Sequence, residues 1–202
     1  MRVLVACEFS QVVTRAFRDK GHEAYSCDIL PTEGNPEWHI QDDVLKHLDD
    51  GWDMMIAHDP CTYQCLSGVR WLHERPERWK LLEQSCEFTR KLFNAPIPRI
   101  ARENPIPHHY AIDLIGKDYT QLVQPHYFGD HETKATCLWL FNLPKLIRTH
   151  FITDGIKDSV HQCPPSDERG RIRSRTFQGV ASAMAEQWGS PALPPPSEAI
   201  KP

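Results

Sequence analysis

The stretch 53–68, DMMIAHDPCTYQCLSG, constrains the fold of this chain more than any other part of the sequence. Its apolar run at 54–57 is typical of a buried strand. Pro60 has no amide proton for a sheet ladder, so the strand must end there and lead into a loop whose first side chain is Cys61. Ligands of open α/β sheets bind beyond the carboxyl ends of the strands, which suits a catalytic thiol. Free cysteines are more often small buried hydrophobes, and the spacing alone leaves both interpretations open.

The first thirty residues follow the strand, loop, helix, strand pattern of a nucleotide-binding βαβ unit. A buried strand at 2–7 precedes a helix with Ser10 as its expected N-cap, and a second strand at 24–28 ends on Asp28. The intervening turn, EFSQVV, lacks the glycines of the dinucleotide fingerprint, which disfavours NAD and FAD. Asp28 could bind the hydroxyls of a ribose or could equally be a solvated acid.

The rest of the chain predicts a mostly parallel sheet with helices on both faces. A strand at 97–101 would bring Glu103 and Asn104 to the same sheet edge as Cys61. The further predicted elements are a loop at 31–39, a short helix after Asp43, amphipathic helices within 71–93, an antiparallel strand pair at 121–124 and 137–140, and a helix at 178–188. We therefore predict one α/β domain at 1–190 and a flexible Pro-rich tail at 191–202.

Composition narrows the classes of partner. A net charge of −4 excludes binding of nucleic acid by bulk electrostatics, so any such contact must be local. The only basic concentration, which suits either a solvated face or a phosphate-contacting loop, consists of Arg169, Arg171, Arg173 and Arg175.

The cysteines indicate a reducing compartment. There are seven, none forms a CxxC pair, and we see no secretory leader, so we expect free thiols in a cytoplasm. Cys61, Cys65 and His58 could ligate a metal, but no second Cys/His pair has zinc spacing, so we expect no metal. No apolar run approaches the ~20 residues of a membrane span, and we expect no membrane contact.

Several of these elements occur in an order that resembles the DNA cytosine-5 methyltransferases, particularly the short forms of phages and prophages. The residues that carry the resemblance are EFS after the first strand, Asp28, Asp43-Val44, Pro60-Cys61, Glu103-Asn104 and a late helix of small residues. The resemblance implies a Rossmann-like class I methyltransferase fold, S-adenosylmethionine as methyl donor, DNA as substrate, and the cytoplasm of a bacterial host or phage-infected cell.

In this family a cysteine adds to carbon 6 of cytosine and thereby makes carbon 5 nucleophilic. The resemblance gives that role to Cys61 and gives Glu103 the relief of charge near ring nitrogen 3. It implies that Asn104 helps to hold the loop of Glu103 and that Lys134, where an arginine is usual, steadies the cysteine loop. A duplex substrate would need its base flipped out.

The resemblance also implies a donor site. Glu8, Phe9 and Ser10 would surround the methionine end of the donor, Asp28 would bind its ribose, and Asp43 would lie near its adenine. Pro60 and Gly179, which opens the late helix, would complete the site.

Three departures from the family pattern keep alternatives open. Gln11 stands where the first loop of the family has glycine, and Asp59 precedes Pro60, where we expect a carboxylate to raise the pKa of the thiol. Only about thirty residues separate the last strand from the late helix, which leaves no target-recognition domain. The alternatives are a pyrimidine nucleotide or single strand as substrate, a partner protein for target recognition, or a donor-binding or partner-binding relic. An amino-methyltransferase is a further alternative, although Thr62 stands where that chemistry uses an aromatic residue.

Overall fold

The structure, a computed structural model, describes residues 1–166 and 168–190, so the predicted tail at 191–202 lies outside the described residues. Seven strands form one sheet in the order β3-β2-β1-β4-β5-β7-β6. All neighbouring strands are parallel except β7, which is antiparallel to β5 and to β6. This arrangement confirms the predicted α/β class, a mostly parallel Rossmann-like sheet with a late antiparallel strand pair and helices on both faces. The strands are β1 (Arg2–Ala6), β2 (Glu23–Asp28), β3 (His39–Gln41), β4 (Met54–Ala57), β5 (Ile100–Pro105), β6 (Gln121–Val123) and β7 (Thr136–Phe141).

Helices cover both faces of the sheet. Helices α1 (Val12–Asp19) and α7 (Gln178–Gly189) pack on one face, whereas α3 (Arg78–Phe93) packs on the other and carries α2 (Arg70–Glu74) and α4 (His109–Ile115) against its outer side. The short helices α5 (Ser159–Gln162) and α6 (Arg169–Ser174) lie in the segment between β7 and α7. No helix in the described ranges is long and apolar enough to cross a membrane.

The central strands are buried on both sides, which explains their continuous apolar sequences. In β4, Met54 and Ile56 contact the core beneath α1 and α7, while Met55 and Ala57 contact the opposite core. All four side chains are fully buried, and full burial of a methionine or isoleucine side chain stabilises a fold by about 1.5–3 kcal/mol.

Strand β5 begins three residues later than predicted, at Ile100 instead of residue 97. Glu103 and Asn104 therefore lie within the strand, not beyond it. The physical reason is that β5 is paired on both sides, and its register with β7 runs from Ile100 to Pro105. Its charged side chains are buried against partners that lie far away in the sequence, which local patterns do not reveal.

Two further predictions were wrong in detail. The predicted loop at 31–39 runs into the edge strand β3, and helix α4 was not predicted.

The N-cap residue of helix α1 is Gln11, not Ser10 as predicted. The carboxylate of Glu8 accepts hydrogen bonds from the first helical amides, those of Val13 at 2.7 Å and Thr14 at 3.2 Å. An acceptor at this end is favourable because the first amides of a helix lack intrahelical partners.

Candidate active site

The site lies where β4 and β5 end side by side. Their parallel register pairs Ala57 with Arg102, so the residues that follow Ala57 lie beside Glu103 and Asn104. The Asn104 amide donates to the carbonyl oxygen of Asp59 at 3.0 Å. Strand β5 thus fixes the backbone two residues before Cys61.

Asp59 is held in a buried ion pair. The guanidinium of Arg102 donates to the two carboxylate oxygens of Asp59 at 2.6 and 3.0 Å, and both side chains are only 1% exposed. The Thr89 hydroxyl donates to the same carboxylate at 2.7 Å. The charge that we expected to disturb Cys61 is therefore balanced by Arg102, and Asp59 connects the cysteine loop to β5.

Cys61 and Cys65 form a close pair within one turn of backbone, in which the amide of Cys65 donates to the carbonyl of Cys61 at 3.0 Å. The hydrogen bond with Cys65, burial and the Glu103 carboxylate raise the pKa of Cys61. The hydrogen bond from Cys61 lowers the pKa of Cys65, helped by Ser67 against the effect of burial. The two thiols thus share one proton, and because a thiolate is the attacking form of cysteine, Cys61 can attack only when that proton lies on Cys65.

Glu103 is paired with His58, a residue that the sequence brought forward only as a possible metal ligand. The Nδ1 atom of His58 lies 2.8 Å from Oε2 of Glu103, and both side chains are more than nine-tenths buried. Burial favours a neutral Glu103, but Lys134 and His58 outweigh it and lower the pKa of Glu103 to about 2. Burial opposes charge on His58, but Glu103 raises the pKa of His58. Glu103 is therefore a carboxylate at neutral pH.

A small cavity adjoins this pair. It has a volume of about 40 Å³ and is bounded by His58, by the first loop and by a later segment of the chain. The Nε2 atom of His58 is buried and has no hydrogen-bond partner among the described residues. The full lining is Cys7, Glu8, Phe9, Ser10, His58, Ser174, Arg175 and Thr176.

The cavity brings together part of the predicted donor site. Glu8, Phe9 and Ser10 line it, but the carboxylate of Glu8 is occupied by the amides of α1. Ligand sites are usually about 300–1,000 Å³, so a donor molecule requires the segment 174–176 to move outward. The uncoordinated Nε2 of His58 is a polar atom that a ligand here would satisfy.

Gln11 adopts the backbone conformation that explains why glycine suits this position. Its φ angle is 59°, in the left-handed region that glycine adopts without strain. The side chain of Gln11 is fully buried. Its amide nitrogen donates to the backbone carbonyl of Asn35 at 2.9 Å, and its amide oxygen accepts from the backbone N–H of Asn35 at 2.7 Å. The side chain thus holds the loop before β3 and does not line the cavity.

The remaining predicted donor residues do not line the cavity. The carboxylate of Asp28, at the end of β2, accepts from the amide of Leu30 at 2.9 Å, and burial raises its pKa. The side chain of Asp43 accepts from the amide of Leu45 at 3.0 Å. Pro60 is exposed in the cysteine loop.

Gly179 allows α7 to pack closely against the turn that contains Phe128. Its amide donates to Asp130 at 2.9 Å, and a Cβ atom at this position would lie 2.2 Å from the carbonyl oxygen of Phe128. A glycine is therefore needed for α7 to approach this turn closely.

The predicted basic segment has its charge partly neutralised. Arg171 and Arg175 both form ion pairs with Glu33, at 2.6 Å for Arg175. Arg169 and Arg173 lie on the same helix, α6. The ammonium of Lys134 donates to the carbonyl of Arg175 at 3.1 Å, so Lys134 links the segment that bounds the cavity to Glu103.

Within 1–166 and 168–190, no group of three or more His, Cys, Asp or Glu side chains is arranged to hold a metal ion. No protein-family model and no curated protein matches the chain. Among solved structures, the chain is similar to an E. coli protein described as a candidate DNA modification methyltransferase encoded within a prophage. The identity is 13% and the TM-score 0.42, over 69% of this chain and 46% of that one. The alignment thus spans less than half of the length of that protein.

Proposed function

We propose that this protein transfers a methyl group from S-adenosylmethionine to carbon 5 of cytosine in DNA. The observation that supports the proposal is that a thiol, Cys61, follows the end of β4 and lies close enough to a buried carboxylate, Glu103 of the adjacent parallel strand β5, to feel its charge. The cavity beside the first loop lies at the same edge of the sheet, where α/β proteins bind their ligands.

Cys61 is the proposed nucleophile. The proton that the two thiols share moves to Cys65, the sulfur of Cys61 forms a bond to carbon 6 of the ring, and the displaced electron pair makes carbon 5 nucleophilic. After methyl transfer, a solvent water removes the proton on carbon 5, the freed electron pair restores the double bond between carbons 5 and 6, and the bond between carbon 6 and sulfur breaks. Cys61 leaves as a thiolate and regains its proton from Cys65.

The pair of Glu103 and His58 supplies the proton that relieves the negative charge created by this addition. The two side chains share a proton across a 2.8 Å contact, and that proton is available to ring nitrogen 3 as negative charge develops there. Asn104 and Asp59 hold the backbone of the cysteine loop in register with Glu103. His58 thereby carries the proton that Glu103, a carboxylate at neutral pH, lacks.

The first loop is the proposed donor site, with Phe9 and Ser10 at the methionine end and His58 Nε2 as an additional polar contact. Asp28 would bind the ribose, and Asp43 would lie near the adenine. When bound, S-adenosylmethionine supplies an electrophilic methyl group on a sulfonium. The protein residues orient it towards carbon 5 and exclude water.

A pyrimidine nucleotide is the second candidate substrate. Between β7 and α7, the described residues 142–166 and 168–177 hold only the short helices α5 and α6. This segment is too short for a separate recognition domain, since independently folded domains have at least about 50 residues. A nucleotide would not need one.

Methyl transfer from labelled donor to duplex DNA, single-stranded DNA and dCMP, measured in parallel, tests the proposal. We expect Cys61→Ser to show no detectable transfer while it binds the donor within a few-fold of the wild type. Cys65→Ser is the matched control: it keeps the nucleophile and loses the base, so we expect slower transfer that recovers as the pH rises.

DNA containing 5-fluorocytosine should trap a covalent adduct with Cys65→Ser and none with Cys61→Ser. Equal turnover by wild type and Cys61→Ser would refute the covalent mechanism.

A further inference from the structure

Arginine and aromatic side chains form an exposed surface in the segment that directly follows Cys61. We call it the arginine–aromatic surface and define it as Tyr63, Arg70, Trp71, Arg75 and Arg78. Arg70 and Arg75 are exposed, and the other three side chains are partly exposed. The surface includes the start of α2 and the start of α3.

Each of the three guanidiniums lies over an aromatic ring. Arg70 and Arg75 lie 4.5 and 4.7 Å from the centroid of the Trp71 ring, and Arg78 lies 4.7 Å from that of Tyr63. Cation–π contacts of this kind order a long side chain and leave the N–H groups at its edge free. Such an edge can bind a phosphate through two parallel hydrogen bonds.

These three arginines are also not engaged by carboxylates, unlike some other arginines of the chain. Arg102 is paired with Asp59, and Arg171 and Arg175 are paired with Glu33. Within the described part of the chain, Arg70, Arg75 and Arg78 form no ion pair with a carboxylate. The Nε atom of Arg78 is buried and lacks a hydrogen-bond partner in the same part. The surface therefore has guanidinium donors that no carboxylate occupies, and it keeps an excess of positive charge because Glu74 and Glu77 in the same segment are outnumbered by the three arginines.

We propose that the arginine–aromatic surface binds the phosphodiester backbone of a DNA strand and thereby holds a target base near Cys61. The inference rests on the proposed function for the identity of that base, but not for the binding itself. Three adjacent cations can contact several successive phosphates, whereas dCMP offers one. The surface thus favours a polynucleotide over a free nucleotide and supplies strand binding within the domain.

Binding can be measured without the methyl donor, by fluorescence anisotropy of labelled single-stranded and duplex oligonucleotides over a salt series. The variant is the double substitution Arg70→Gln with Arg75→Gln, both at exposed positions. Lys91→Gln, an exposed cation near the other end of α3, is the matched control. Circular dichroism and thermal unfolding verify that all three proteins are folded.

Loss of two phosphate contacts should reduce the slope of log K against log salt by about 1.4 for a single strand or about 1.8 for a duplex. We expect affinity at low salt to fall at least tenfold in the double variant and to stay within twofold in Lys91→Gln. The strand form that shows the larger change is the form bound.

Equal slopes and affinities for the wild type and the double variant would overturn the inference, as would wild-type protein that binds neither strand form. Methylation of dCMP by such a protein would leave the proposed chemistry standing. Salt-dependent binding without methylation of any substrate would instead refute the chemistry alone.

Discussion

At the scale of single residues, the candidate site depends on two buried ionic contacts, Arg102 with Asp59 and His58 with Glu103, which have different roles. Arg102 balances the charge of Asp59 and gives the cysteine loop a fixed support. Each contact also leaves one buried nitrogen without a partner among the described residues, Nη1 of Arg102 and Nε2 of His58. Of these two residues, His58 lines the cavity and Arg102 does not, so the nitrogen of His58 is the one placed for ligand contact.

Glu103 should control how the stability of the protein depends on pH. Its folded pKa of about 2 lies below the ordinary 4.5, so its stabilisation is fully present above pH 4.5 and is lost as the pH falls towards 2. The effect is on the order of 3 kcal/mol. We expect Glu103→Gln to flatten the acid limb of the unfolding free energy, measured by denaturant titration between pH 5 and 2.5.

The matched control for this experiment is Glu87→Gln, at a half-exposed position on α3. It should reproduce the wild-type pH profile. His58 contributes in the opposite sense: its raised pKa stabilises the fold below pH 6.5, and this stabilisation is lost as the pH rises through the folded value. Parallel profiles for the wild type and Glu103→Gln would show that Glu103 does not gain its low pKa from folding.

At the scale of elements, β5 organises the site because it is paired with β4 on one side and β7 on the other. Arg102 reaches Asp59 beyond β4 and stacks 4.3 Å from the ring centroid of Trp139 in β7. One side chain thus ties three strands together beneath the cysteine loop.

Removal of one partner from this ion pair should be costly. We expect Asp59→Asn to lower the free energy of unfolding by about 3–5 kcal/mol, because it leaves the charge of Arg102 buried and uncompensated. The double variant Asp59→Leu with Arg102→Met removes both charges and should recover part of that loss. Urea unfolding measures both, and an Asp59→Asn protein within 1 kcal/mol of the wild type would contradict the pairing.

At the scale of the whole molecule, the cavity is bounded by two distant parts of the chain, the loop at 7–10 and the segment at 174–176. The contact of Lys134 with Arg175 and the ion pairs of Glu33 hold the later segment in place. A ligand that enters here must displace that segment and then contact both parts, so binding should stabilise the complete fold.

Added S-adenosylmethionine should therefore raise the midpoint of thermal unfolding. At a hundredfold excess over its Kd, a ligand stabilises the native state by about 2.7 kcal/mol. For a chain of this size we expect a shift of about 5–10 °C, measured by differential scanning fluorimetry. The Asp28→Ala variant should show a smaller shift. Asp19 is an exposed acid at the end of α1, and its variant Asp19→Ala should show the wild-type shift. No shift at millimolar donor would rule out the proposed donor site.

The sequence by itself determined the order of most strands and helices, the continuous burial of β1 and β4, and the end of β4 before Cys61. These features follow from local physics: apolar runs set burial, and Pro60 ends a strand whatever surrounds it. The same local reading missed β3 and α4, and it began β5 too early, because pairing with neighbouring strands overrides short-range preference.

Only the tertiary structure decided which ionisable groups meet. His58 and Glu103 are 45 residues apart, Asp59 and Arg102 are 43 apart, and Glu33 and Arg175 are 142 apart. Their contacts follow from strand register and from the return of the late segment over the first loop. Because burial and charge pairing set each pKa, the chemical state of the site depends on this folding and not on the residue types alone.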